Sequence, residues 1–120
     1  MDYLVVDLMR LLDESAPGRR AADDLAKRWE AARHELQRLD AQAEQGNEEA
    51  AQRAERLAAE VPAELERVRA AAREDLLARV RRLVAEAAAA RGCSLVLSAA
   101  QTLVFDPKAD LTDELLHQLT

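Results

Sequence analysis

The chain has 120 residues, a formal net charge of −6 and three aromatic side chains, Tyr3, Trp29 and Phe105. That length holds one domain, or one domain with an appendage, and the acidic balance leaves a nucleic-acid role without an electrostatic footprint. Ala, Leu, Arg and Glu dominate, a composition that suits long helices or coiled coil rather than an aromatic-rich globule.

The opening "YLVVDLMRLL" is a continuous apolar run containing β-branched residues, and "DESAPGRRA" follows it. Ser15, Pro17 and Gly18 mark a break before the next helix. "MDYLVVDL" enters β-type sequence at once and lacks a signal-peptide pattern, which leaves two expectations: a cytoplasmic protein, or a chain whose leader has been removed. No apolar stretch is long enough to cross a bilayer as a helix.

From Ala22 the apolar positions are Leu25, Trp29, Ala32, Leu36, Leu39 and Ala43, in alternating steps of 3 and 4. This is the seam of a coiled coil. Trp29 is expected in the core or at the arm root. Gly46-Asn47 is the strongest helix stop in the middle of the chain, with Asn47 suited to cap the next helix and Glu48 and Glu49 in its first turn. A second helix then runs to about Arg91 along the seam Leu57, Val61, Leu65, Val68, Ala72, Leu76, Val80, Leu83, Ala87 and Ala90. Pro62 competes with Gly46-Asn47 as the turning point. If the first and last segments of the chain meet, however, the outgoing and returning helices must match in length. Only a turn at 46–47 allows that, so Pro62 is read as a kink in the returning helix.

After Gly92 come the β-type runs "CSLVLS" and "QTLVFD", a turn at Pro107, and a short helix. Thr112 is the expected N-cap of that helix, with Asp113 and Glu114 in its first turn and Leu115, Leu116 and Leu119 on one face. Cys93 is the single cysteine and is expected to be a small buried apolar residue in a strand; no Cys/His set has metal-ligand spacing.

Three strands are thus expected, centred on Leu4-Val5-Val6, Leu95-Val96-Leu97 and Leu103-Val104-Phe105. None alternates, so both faces of their sheet need cover. The helix roots and the terminal helix cover one face, and no other segment is left for the second. Three-stranded sheets also leave open edges. The body, residues 1–15 and 92–120, is therefore read as an oligomerisation device. Val5, Leu95, Leu97, Val104 and Phe105 are its candidate interface residues, and residues 16–91 form a helical-hairpin arm.

These ends also carry a resemblance. Val6-Asp7, Leu12, Ser15 and Pro17-Gly18 match the opening of the Skp/OmpH family of periplasmic chaperones, V-D-x-x-x-x-L-x-x-S followed by small residues and Gly. Gly92, Leu95-Val96-Leu97, Leu103-Val104-Phe105, Asp106-Pro107 and Asp110-Leu111-Thr112 resemble its ending. Nearly the whole chain is covered. The resemblance implies an α+β fold, mostly α, in which a long antiparallel coiled-coil hairpin stands on a small β body. That body completes a barrel on forming a homotrimer.

The function implied is an ATP-independent holdase in the periplasm, sheltering unfolded outer-membrane or secreted proteins between its arms without a cofactor. The candidate client-binding residues are Leu36, Leu39, Leu57, Val61 and Leu65, which could equally fill the seam between the two helices. Family members often have basic arms, whereas residues 40–60 here carry six acids against Arg53 and Arg56. Such a tip is repelled by anionic lipid, so membrane contact is not carried over. Ser98 stands where the family often has Asp.

Two other functions stay open: a structural coiled-coil oligomerisation scaffold, and a cytosolic prefoldin-like holdase. An enzyme is not expected. His34 and His117 have no nucleophile at sequence-visible spacing, and the acids mostly interleave with Arg at helix-supporting distances.

Overall fold

The computed structural model describes residues 2–120. Its elements in chain order are β1 (Leu4–Val6), α1 (Leu8–Glu14), α2 (Ala16–Glu44), α3 (Glu48–Ala90), β2 (Val96–Ser98) and α4 (Thr112–Gln118). Two compact units result, one made of the chain up to Arg20 together with Arg73–Thr120, the other of Ala21–Ala72.

In the first unit β1 runs parallel to β2, with Leu4 opposite Val96, Val5 opposite Leu97 and Val6 opposite Ser98. A parallel bridge joins Val5 to Asp110 on the other side of β1, where the Leu111 amide donates to the Val5 carbonyl at 2.9 Å. β1 is therefore flanked on both edges, and all three of its residues are buried. Leu4 and Val6 join Leu11, Leu76, Val80, Leu111, Leu115 and Leu119 in one core cluster. Val5, on the opposite face by strand alternation, is also fully buried. The expectation that nothing in the chain covers the second face thus fails at β1. The uncovered part is β2, whose residues are exposed or half-exposed.

Only two strands form among the described residues, so the third expected strand is corrected. After β2 a 3-10 turn at Ala99–Gln101 redirects the chain, held by the Thr102 hydroxyl donating to the Ser98 carbonyl at 2.8 Å. Leu103 is fully exposed and Val104 is 89 % exposed. Their apolar pattern is that of a strand, but the free edge of β1 is already occupied by Asp110 and Leu111.

α1 departs from the expectation of one apolar run continuous with β1. Asp7 separates the two elements by accepting from the Arg10 amide at 3.2 Å, an N-cap. One residue, Ser15, then divides α1 from α2, and its hydroxyl accepts from the Gly18 amide at 3.2 Å. Gly18 sits where only glycine fits, since a Cβ there would lie 1.9 Å from the Leu12 carbonyl oxygen.

The last turn of the chain is also re-assigned. Thr112 is the first residue of α4, not its cap; the Asp110 carboxylate accepts from the Thr112 amide at 2.9 Å and from its hydroxyl at 2.6 Å. The fully buried Thr112 hydroxyl in turn accepts from the Asp7 amide at 2.9 Å, so one side chain ties the start of the chain to its end. Cys93 is buried as expected, but in the connection between α3 and β2.

In the second unit α2 and α3 pack antiparallel around a short turn. Gly46 adopts φ +95°, which favours glycine, and the Asn47 side chain caps α3 by accepting from the Ala50 amide at 3.1 Å. Leu39, Ala50 and Ala54 are buried together, with Leu36 and Leu57 packed against them. α3 continues through Pro62.

Candidate functional site

Two apolar surfaces stand out, one on each unit. On the first, the outer edge of β2 makes no ladder with any described residue, and Leu95 beside it is 51 % exposed. A groove of about 540 Å³ runs along this region, lined by Leu8, Val80, Val84, Val96 and Leu97 among others. An unpaired edge bordered by apolar side chains is a template for another strand. Of the interface candidates expected from the sequence, Val5 and Leu97 are register partners, Leu97 and Phe105 are half-buried, and Val104 projects into solvent.

On the second unit, Trp29, Ala32 and Leu36 of α2 face Ala58, Val61 and Pro62 of α3 across a groove of about 390 Å³. Trp29, expected in the core or at the arm root, is 50 % exposed and so does not fill a core. Pro62 has no N–H, so the Ala58 carbonyl loses its usual intrahelical donor. Among the candidate client residues, Leu36 and Val61 line the groove, Leu36, Leu39 and Leu57 belong to the seam cluster, and Leu65 is buried. Leu39 and Leu65 are thereby committed to packing. Trp29 belongs to the apolar seam of its helix and Pro62 does not, and that spacing alone does not show that the two share a groove. Mirroring the helices about Gly46-Asn47 places them near each other.

Charge on the arm is mostly matched along each helix. Arg33 bonds Glu30 at 2.5 Å and Arg38 bonds Glu35 at 3.0 Å, both on exposed faces. The hydrogen bond from Arg33 holds the Glu30 carboxyl below its ordinary range, and that from Arg38 does the same for Glu35. Arg67 and Arg69 pair likewise with Glu64 and Glu66. Asp40, Glu44, Glu48 and Glu49 are exposed around the turn, with no cation between residues 40 and 52. In the body unit Arg10 bridges Glu14 at 2.7 Å and Asp113 at 3.3 Å, and the bond to Glu14 raises the guanidinium above its ordinary value.

Among the described residues no group of His, Cys, Asp and Glu is placed to hold a metal ion. No described helix is long and apolar enough to cross a membrane.

A family model described as "Outer membrane protein (OmpH-like)" matches residues 2–119. A search of curated proteins finds no match.

Proposed function

The chain belongs to the OmpH-like family, a chaperone family, and from that premise we propose that it is an ATP-independent holdase for unfolded outer-membrane proteins. It acts in the periplasm as a homotrimer. Three bodies join through their open sheet edges, and the helical arms bound a cavity in which a client is kept from aggregating. The chemistry asked of such a site is modest: many weak contacts, shielded from other chains, with no bond made or broken.

The observation that carries this reading is the unmet apolar surface of the single chain. Leu103 and Val104, a few residues after β2, are almost wholly exposed, and the β2 edge of the two-stranded sheet is open. A chain that leaves Leu-Val in solvent and a strand edge unpaired has a use for a second copy. Supporting it, the arm groove at Trp29 and Pro62 presents apolar area without a deep pocket, which favours release as well as capture.

The test is aggregation of a urea-unfolded outer-membrane protein on dilution, followed by light scattering. Suppression at a stoichiometric amount of trimer is expected. Unchanged scattering at excess chain would remove the holdase and leave a coiled-coil scaffold as the better account.

A further inference from the structure

The arm tip and the arm groove differ in chemistry, yet they lie on the same pair of helices. The groove spans Trp29 to Leu36 on α2, about 10 Å at 1.5 Å per residue, and Glu44 lies about 12 Å beyond Leu36 on the same helix. An extended segment of about seven residues covers both. The groove walls carry Glu30 and Arg33, already joined to each other, and so contribute no net charge. Asp40, Glu44, Glu48 and Glu49 are exposed, and the ion pairs of the arm leave all four unmatched among the described residues. Arg53 and Arg56, the nearest cations along α3, are offset in number by Glu55 and Glu60.

Resting on the holdase reading, we propose that the groove selects segments of unfolded chain in which an apolar or aromatic residue is flanked by Lys or Arg. The apolar residue packs against Trp29 and Pro62. The cation lies toward the carboxylates of the tip. Four like charges around one chain reversal attract a cation over roughly a Debye length, about 8–10 Å at physiological salt, so the preference is strong at low salt and fades as salt rises.

Trp29 is the only tryptophan, and its half-exposed ring makes its own emission the readout. The full chain is titrated with two tryptophan-free peptides sharing a Leu-Phe-Val centre, one flanked by Lys and one by Glu. The Lys peptide is expected to bind about tenfold more tightly at low salt, with the ratio falling toward one at high salt. Replacing Asp40, Glu44, Glu48 and Glu49 by their amides should abolish the ratio while leaving the helices intact by circular dichroism. Val61→Asn should weaken both peptides equally.

Equal binding of the two peptides, a ratio that survives the amide variant, or no effect of Val61→Asn overturns the proposal. So does a change in Trp29 emission on raising the concentration of the chain alone, which would assign the groove to a second copy. The peptide ratio and the light-scattering assay fail separately: normal suppression of aggregation with no charge preference removes only this inference.

Discussion

Replacing Thr112 by Val tests how the two ends of the chain are joined. The side chain keeps its shape but loses a hydroxyl that accepts from the Asp7 amide at 2.9 Å and donates to the Asp110 carboxylate at 2.6 Å. Thr112 is fully buried, so water cannot readily replace the acceptor on that side, and leaving the half-buried Asp7 amide unserved costs about 1–3 kcal/mol. Asp110 is exposed and still accepts from the Thr112 amide, so its loss adds little. A destabilisation of about 2 kcal/mol is therefore expected for Thr112→Val. Thr112→Ser keeps both hydrogen bonds and removes one methyl, a loss of about 0.8 kcal/mol. Urea denaturation followed by circular dichroism, at one fixed chain concentration, gives both values. If Thr112→Val proved as stable as Thr112→Ser, the hydroxyl would not be the tie between the chain's beginning and end, and the reasoning would fail.

Three other outcomes follow from single sites. Leu103→Ser with Val104→Ser removes two exposed apolar side chains; if both are buried on association at about 2 kcal/mol each, affinity between copies drops about a thousandfold, visible as a lower sedimenting mass at equal concentration. Gly18→Ala should destabilise the chain even though alanine is ordinarily favoured in helices by about 1 kcal/mol, because its Cβ would meet the Leu12 carbonyl; a raised melting temperature would contradict this. Leu39→Ala should cost about 2–5 kcal/mol locally, seen as faster amide exchange around the turn with protection of the Leu4 and Leu115 regions unchanged.

Much of the helical part is legible in the sequence because its signals are local. Gly46-Asn47 combines a left-handed glycine with a side-chain cap, and the 3-4 spacing through Leu36 and Leu39 needs no partner to be recognised. The sheet is harder, because a strand exists only where a neighbour accepts its hydrogen bonds. Leu4-Val5-Val6 and Leu103-Val104-Phe105 are nearly the same pattern, yet only the first lies between β2 and the Asp110–Leu111 backbone. Asp110 and Thr112 both have side chains suited to capping, and no local rule says which accepts from the start of α4 and which reaches across to Asp7. Trp29 escapes the sequence reading for a related reason. Its surroundings depend on Pro62 and Val61 of the other helix, and a seam drawn along one helix cannot show where the opposite wall recedes. The family, by contrast, is readable from the ends, where Val6-Asp7 and Asp110-Leu111-Thr112 carry the resemblance, and the match over residues 2–119 bears out the family.

The central claim is that one chain's β body is incomplete and is finished by further copies. Sedimentation equilibrium of the unmodified protein at micromolar concentration measures this directly. A mass three times the 13.3 kDa of one chain is the result the account predicts, and a stable species of one chain's mass would contradict it.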